Sequence, residues 1–374
     1  TTYAAGCPDG GFDPYVSPRQ TRHDNGKMKE SGNVNGKDTP GLRVLLHSKF
    51  LDDWILRQTP NGAGVWGNCQ FIVNGPPGDY DRVFVYDTMA GPVQATCPPD
   101  GSFMMVGEPP ELKDYPLLFL AQFGNVVSSD TNTPHPNLID SQTAQPWLAG
   151  IGQYVDAPNK AIMTLEDHRA ARPEKTGLIS VIASFRNTTN GHRARIALVE
   201  ALKRKFGDQV AVMGRDAIPF TEKWSAVAPF KYHVALENSR FPNYFTEKLA
   251  DAYLGDTFPF YWGCPNVEDY FNPEGFRRIN VYDPESAVET IAAAIDAGLY
   301  EKTQAIRDAD RIRLMDEHNI FALMARLAER PVRQAPRRMV LQPESEYRDS
   351  ELRKLRKRLK RAVPRSLRPK RWKV

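Results

Sequence analysis

Short apolar runs alternate with longer amphipathic segments along most of this chain. The runs are rich in β-branched and aromatic residues and end in polar or glycine-containing stretches, which is typical of buried strands. They lie at 42–48, 82–89, 102–108, 125–129, 178–184, 209–214, 232–236, 257–263 and 277–283. The segments 193–207 and 284–298 repeat apolar residues at helical spacing, and the second begins with Pro284 and ends with Gly298. Alternating strands and helices predict parallel sheets covered by helices on both faces, and so an α/β protein.

The 374 residues are enough for two domains with substantial cores. The polar stretch 166–177 separates the strands into two groups, and we interpret it as a linker. We therefore predict domains at 41–165 and 178–335, a mobile arm at 1–40 and a basic tail at 336–374. In such folds a ligand lies beyond the carboxyl ends of the strands, so we expect the site in the cleft between the domains.

The charge of the chain is concentrated at one end. The net charge is +4, but residues 351–374 contain twelve Lys or Arg and one acidic residue, so this segment carries +11 and the rest carries −7. Four apolar residues recur there at helical spacing: Leu352, Leu355, Leu359 and Val363. We expect a basic helix that lies on an anionic membrane surface, with a solvated disordered tail as the alternative.

Several protein classes are disfavoured by composition. No stretch approaches 18 consecutive apolar residues, and the N-terminus lacks the order of a signal peptide, so we expect a cytoplasmic protein, peripheral on the inner membrane face. The four cysteines form no CxxC pair, and the seven histidines show no ligand spacing, so we expect no bound metal. The acidic body has no basic stripe with interleaved aromatics, so no nucleic-acid partner is expected, although the tail keeps that alternative open.

Polar side chains cluster where the strand at 232–236 passes into a helix. The stretch "LENSRFPNYFTEK" at 236–248 contains Glu237, Asn238, Asn243, Tyr244, Thr246, Glu247 and Lys248. A second polar stretch, "SFRNTTNGHRAR" at 184–195, leads from a strand end to a helix start. It contains Ser184, Arg186, Arg193 and Arg195. A helix N-terminus with nearby arginines favours phosphate binding, although a solvated helix face explains Arg193 equally well.

The segment 232–276 resembles the C-terminal signature of the α-1,3-fucosyltransferases, glycosyltransferase family 10. The resemblance is carried by Glu237–Asn238, by the sequence Tyr-Phe-Thr-Glu-Lys at 244–248, and by the stretch from Pro259 to Pro265. It implies a GT-B fold, in which two Rossmann-like domains face a cleft. It also implies that the domain at 178–335 binds a GDP-sugar and that the domain at 41–165 faces the acceptor.

The resemblance assigns roles to the polar residues of the second domain. Lys248 and Arg195 would neutralise the pyrophosphate, which leaves as GDP. Glu247 would accept hydrogen bonds from ribose or sugar hydroxyls, or stabilise an oxocarbenium-like centre, while Asn238 and Tyr244 would position the nucleoside. Glu237 belongs to the same donor pocket. Secondary candidates for donor contacts are Ser184, Arg186 and Arg193.

The family also uses a glutamate of the N-terminal domain as the general base. Glu108 follows the strand at 102–108 in "MMVGEPP", where two prolines prevent continued strand pairing. The next candidates are Glu111 and Asp114. Some members of the family carry an aromatic residue shortly before this glutamate, whereas this chain has Met104 and Met105 there.

These observations predict an inverting, metal-independent fucosyltransferase without a cofactor. Its donor would be GDP-L-fucose, and its acceptor an oligosaccharide or lipid-linked glycan joined through an α-1,3 or α-1,4 linkage. Three alternatives remain: a transferase of another GDP-activated deoxysugar, a nucleic-acid-binding protein acting through its tail, and a catalytically inactive relative that binds glycans.

Overall fold

The computed structural model describes residues 41–152, 160–161, 163–183, 190–214 and 217–348. Their strands are β1 (Leu42–His47), β2 (Val65–Trp66), β3 (Cys69–Val73), β4 (Gly78–Asp79), β5 (Arg82–Tyr86), β6 (Val93–Cys97), β7 (Ser102–Met105), β8 (Asn125–Ser128), β9 (Leu138–Asp140), β10 (Ile151–Gly152), β11 (Lys160–Ala161), β12 (Gly177–Ile182), β13 (Val210–Met213), β14 (Phe230–Leu236), β15 (Phe258–Trp262), β16 (Arg277–Arg278) and β17 (Arg337–Leu341). The α-helices are α1 (Leu117–Leu120), α2 (Leu165–Ala170), α3 (Asn190–Phe206), α4 (Lys223–Val227), α5 (Glu247–Leu254), α6 (Pro284–Asp296), α7 (Leu299–Lys302), α8 (Gln304–Asp316) and α9 (Ile320–Ala328).

Seven strands form the first sheet, in the order β2-β3-β1-β5-β7-β8-β9. All neighbours are parallel except the short edge strand β2, which pairs antiparallel with β3. The central strands β1, β5 and β7 carry apolar residues on both faces because both faces are covered. One face packs against α9, and the other packs against α1 and a small sheet of β17, β6 and β4.

The second sheet is entirely parallel, in the order β13-β12-β14-β15-β16. Side chains of β14 alternate between its two faces, as the pleat of a strand requires. Tyr232, Val234 and Leu236 pack in one apolar cluster with α3 and α6, whereas Ala235 packs in another with α5 and α8. β14 ends at Leu236, and the polar stretch that begins with Glu237 follows it directly.

The carboxyl ends of the two sheets face one another. Glu108 follows β7 of the first sheet, Tyr244 follows β14 of the second, and their side chains are hydrogen-bonded. Two Rossmann-like units with facing carboxyl ends make the GT-B arrangement, and the predicted α/β fold class is confirmed.

The C-terminal part of the described chain returns to the first sheet, which differs from our prediction. We assigned residues up to 335 to the second domain and residues 336–374 to the tail. Instead, α9 packs in the core of the first sheet, and β17 pairs antiparallel with β6. Because α9 is buried almost all round, its sequence indicates a core helix without indicating which core it joins.

Two smaller differences concern the predicted linker and the last predicted strand. The first half of the stretch 166–177 forms α2, which begins with a capping box made by Thr164 and Asp167. Only Arg277–Arg278 of the predicted strand 277–283 pairs with β15. The predicted arm at 1–40 lies outside the described residues, and the remaining domain limits stay predictions.

Candidate active site

A buried carboxylate closes the loop between β14 and α5. Glu237, the first residue after β14, is fully buried, and its two oxygens accept hydrogen bonds from the Thr246 N–H at 2.8 Å and the Thr246 hydroxyl at 2.6 Å. Gly263 lies directly against it, since a Cβ there would be 2.3 Å from Cγ of Glu237. Burial raises the pKa of Glu237, although the nearby Lys248 charge opposes the shift. Glu237 therefore holds the loop in shape.

Lys248 lies in the first turn of α5, beside two carboxylates. Its ammonium is 3.0 Å from Oε1 of Glu247 and 3.8 Å from Oε2 of Glu237. Its side chain is 25% exposed. Burial opposes the charge of Lys248, but Glu247 and Glu237 outweigh burial and raise its pKa. The α5 N-terminus thus presents a stably charged cation that solvent can reach.

A second lysine, Lys223 at the start of α4, lies deeper in the same cluster. Its ammonium is 3.2 Å from Oε1 of Glu247 and 3.3 Å from Oδ2 of Asp251, and its side chain is only 10% exposed. Burial would favour the neutral form of Glu247, yet Lys223 and Lys248 hold the pKa of this carboxyl well below its ordinary value. Our sequence analysis missed Lys223, since its only signal is a lone lysine in a polar segment.

Arg195 reaches the same loop from α3. Its guanidinium donates to the backbone carbonyl of Glu237 and, at 3.3 Å, to Oδ1 of Asn238, whose residue is exposed. Arg193 is exposed and bonds Asn190 of its own helix, so it is not brought to the cluster. The secondary candidates Ser184 and Arg186 lie outside the described residues.

Glu108 meets the cluster from the opposite sheet. Its Oε2 accepts a hydrogen bond from the Tyr244 hydroxyl at 2.7 Å, and Tyr244 itself is buried. Glu108 is half-buried, and burial raises its pKa, while the Tyr244 hydrogen bond and the Lys248 charge lower it. The structure therefore brings the predicted base next to a predicted donor residue.

The same loop makes two further contacts with the first sheet. The Ser239 hydroxyl donates to the Glu111 carboxylate, and the Asn243 side chain donates to Oδ1 of Asp140 at 2.8 Å. The carboxylate of Glu111, the next candidate for the base, thus already accepts a hydrogen bond from a serine. Asp114 accepts a hydrogen bond from Arg348 through its backbone carbonyl.

An aromatic cavity of about 320 Å³ opens beside Gly263, at the carboxyl ends of β15 and β16. The indole of Trp262 and the ring of Tyr282 meet edge to face at 5.7 Å between centroids. The remaining lining residues are Arg240, Tyr261, Arg278, Ile279 and Asn280. Tyr261 also donates to Glu237 at 3.4 Å, so the cavity adjoins the loop described above.

Within the described part of the chain, no group of three or more His, Cys, Asp or Glu side chains is placed to hold a metal ion. A membrane span is likewise not found there, because each helix is too short or too polar.

Comparison with known proteins finds a family model that matches the second sheet. Residues 172–302 match the family model described as "Glycosyltransferase family 10 (fucosyltransferase) C-term". That segment of the chain is therefore similar to the C-terminal domain of glycosyltransferase family 10. The resemblance is thereby confirmed, and the matched segment includes β12 to β16 and the loop that carries Glu237 and Lys248.

A curated relative and several solved structures are also similar to the chain. The alpha-(1,3)-fucosyltransferase FucT of Helicobacter pylori is 40% identical over 65 residues, which is 17% of this chain and only 13% of that relative. A crystal structure of an alpha1,3-fucosyltransferase with GDP-fucose has a TM-score of 0.42 and 18% identity, covering 74% of this chain and 84% of that one. A glycosyltransferase of Rickettsia africae ESF-5 has a TM-score of 0.41 and 8% identity, covering 77% and 97%.

Proposed function

We propose that this protein is an inverting, metal-independent fucosyltransferase that moves L-fucose from GDP-L-fucose to a hydroxyl of a glycan acceptor. The observation that carries the proposal is the placement of Glu108 across the cleft from the cations Lys248 and Arg195. The family 10 domain and the fucosyltransferase activity named for the Helicobacter pylori relative support fucose as the transferred sugar.

The cations act on the leaving group. As the bond between the anomeric carbon of fucose and the phosphate oxygen breaks, negative charge grows on GDP. Lys248 and Arg195 are already charged and fixed by the loop, so they stabilise that charge without a reorganisation cost. Glu247 is held ionised between two lysines and orients Lys248, and its remaining hydrogen-bonding capacity serves a ribose or sugar hydroxyl. Asn238 is exposed beside Arg195, and it positions the nucleoside of the donor together with Tyr244.

Glu108 acts on the acceptor. The acceptor oxygen attacks the anomeric carbon from the face opposite to GDP, which inverts the configuration, and its proton passes to the Glu108 carboxylate. A base must be ionised at the working pH and yet basic enough to accept the proton. Partial burial raises the pKa of Glu108 and so makes its carboxylate more basic, while the Tyr244 hydrogen bond and the Lys248 charge favour the ionised form.

A donor panel tests the choice of sugar. Purified protein is incubated with a glycan acceptor array and, in parallel, with GDP-fucose and other GDP-activated deoxysugars, and products are read by mass. We expect transfer from GDP-fucose, with an α-1,3 or α-1,4 linkage in the product. Turnover with another GDP-sugar and none with GDP-fucose would overturn the fucose assignment.

The basic tail supports a proposal for the acceptor and for the location of the enzyme. Residues 351–374 carry +11, which supports attachment to an anionic membrane surface and therefore a lipid-linked or membrane-proximal glycan. We place the enzyme in the cytoplasm, on the inner membrane face, in polysaccharide synthesis or protein glycosylation. The tail itself lies outside the described residues.

A further inference from the structure

The loop between β14 and α5 is tied across the cleft by a residue that the function above does not use. Asn243 lies in this loop and adopts a left-handed backbone conformation with φ of 57°. Asparagine tolerates this conformation better than most residues, so the backbone here is compatible with the side chain. The side chain then makes contacts on both sides of the cleft.

Each polar atom of the Asn243 side chain is engaged. Its Nδ2 donates to Oδ1 of Asp140, at the end of β9 in the first sheet, at 2.8 Å. Its Oδ1 accepts from Nδ2 of Asn266 at 2.6 Å and from the Tyr270 hydroxyl at 2.7 Å, both in the second unit. The Asn243 backbone N–H donates to Oδ1 of Asn266 at 2.8 Å. One amide therefore joins the two units at a fixed spacing.

The next residue in the chain is Tyr244, whose hydroxyl holds Glu108. Tyr244 is almost fully buried, so its ring is confined, and the position of its hydroxyl follows the backbone at 243–244. We propose that Asn243 is a positioning residue: its link to Asp140 fixes the loop so that the Tyr244 hydroxyl meets the Glu108 carboxylate. The inference rests on the proposed function, in which Glu108 is the base.

The charges around Glu108 determine what loss of this link does. The groups that face Glu108 are Tyr244, Lys248, Asp87 and Glu247. Burial and the two carboxylates raise its pKa, whereas the Tyr244 hydrogen bond and Lys248 lower it. If the tyrosine hydroxyl moves away, the pKa of Glu108 rises further. Because the base must be ionised to act, the acidic limb of the rate–pH profile then moves to higher pH.

The test variant is Asn243→Gly, because glycine readily adopts the left-handed backbone and removes the side chain with its amide. We expect kcat/KM to fall roughly tenfold at neutral pH through misplacement of the base. We expect the acid dissociation constant of Glu108, read from the acidic limb, to fall by about twofold to tenfold. This is the change in an equilibrium constant that the loss of one hydrogen bond usually causes. We expect GDP affinity to fall less than kcat/KM, because the contacts of Lys248 and Arg195 do not involve Asn243. Tyr244→Phe, which removes the hydroxyl directly, reproduces the shift of the limb.

The matched control is Asn61→Gly, which makes the same change at another left-handed asparagine (φ of 54°), an exposed residue in the short 3-10 turn Pro60–Gly62. It leaves the rate and the profile as in the parent. An Asn243→Gly protein with an unmoved acidic limb would overturn the inference even if its rate falls, since a structural defect alone lowers the rate without moving the limb. Near-parental transfer by Glu108→Gln would show that Glu108 is not the base, and this inference would then fail with the proposed function. An unmoved acidic limb in Asn243→Gly, with Glu108→Gln inactive, would contradict this inference alone.

Discussion

The ammonium of Lys223 lies 3.2 Å from the carboxylate of Glu247, inside the second unit and behind the cation that faces the cleft. Lys223 also contacts Asp251 at 3.3 Å, so one buried lysine offsets two buried carboxylates. Without it, the cluster around Lys248 would carry more negative charge at the place where we expect a pyrophosphate. Lys223 thus makes an anion site possible although it does not face the ligand.

Replacing Lys223 by Met therefore weakens both fold and site. Glu247 keeps Lys248 as a partner, but the buried Asp251 loses its ion pair with Lys223, and breaking a buried ion pair on one side costs about 3 kcal/mol of unfolding free energy. Urea unfolding and titration with GDP measure the two effects. Adding Asp251→Asn to Lys223→Met removes the carboxylate that has lost its lysine, and we expect part of both losses to be recovered. A double variant no better than the single one would contradict this charge-balance role.

Lys248→Ala and Arg195→Ala weaken the donor step. Each removes a cation from the place where charge grows on the leaving GDP, and a fixed donor of this kind is worth roughly 3 kcal/mol in the transition state. We expect both GDP affinity and turnover to fall in each variant. Arg193→Ala is the control, since Arg193 is exposed and bonds Asn190 on its own helix. Parental GDP affinity in both test variants would refute the phosphate assignment.

The buried histidine His233 makes stability depend on pH. Burial is the main cause that lowers its pKa from 6.5 to about 3, and its Nδ1 lies 2.8 Å from the Ser180 hydroxyl. A lowered folded-state pKa means that the unfolded chain binds the proton more tightly. Stability is therefore complete above pH 6.5 and is lost as the pH falls from 6.5 towards 3.

Chemical unfolding at pH 7.5 and pH 5.0 measures this loss in the parent and in His233→Gln. At pH 5.0 the histidine accounts for a loss of about 2 kcal/mol, so the parent loses more stability than the variant by about that amount. Equal losses in the two proteins would show that His233 does not titrate between the folded and unfolded states in this range.

Much of the fold follows from local patterns. The strands at 42–48 and 125–129 were predicted within one residue, because buried parallel strands are short apolar runs with clear ends. The helix predicted after the strand at 232–236 is α5, which is followed by Gly255. The return of α9 to the first sheet was not predictable, because an apolar helix can pack on either core. The partners of a core helix depend on chain topology, which hydrophobic periodicity does not record.

The site was predictable where a motif carries it and not elsewhere. Glu237, Glu247 and Lys248 belong to a contiguous stretch, so their proximity follows from sequence. Lys223 and Asp140 join the cluster only through tertiary contacts, and neither has a distinctive neighbour in the chain. Their roles appear only when the carboxyl ends of the strands are brought together.

The basic tail gives a prediction for membranes. Attraction of a basic segment to anionic lipid is worth about 1 kcal/mol for each Lys or Arg near the surface. In vesicle flotation, we expect the protein to bind anionic vesicles and not neutral ones, and added salt to release it. A variant that lacks residues 349–374 keeps all the described residues and loses the binding. Equal binding to both kinds of vesicle, or to neither, would exclude an electrostatic anchor.

The identity of the base is tested most directly by Glu108→Gln, which keeps the shape of the side chain and removes its basicity. We measure GDP affinity by titration and initial transfer rates from GDP-fucose on the folded variant, with Glu111→Gln as the neighbouring control. The account predicts parental GDP affinity and a transfer rate lowered by ~10²–10⁴, the usual contribution of a positioned acid or base, while Glu111→Gln keeps most of its activity. Near-parental transfer by Glu108→Gln, or loss of transfer in Glu111→Gln alone, would contradict it.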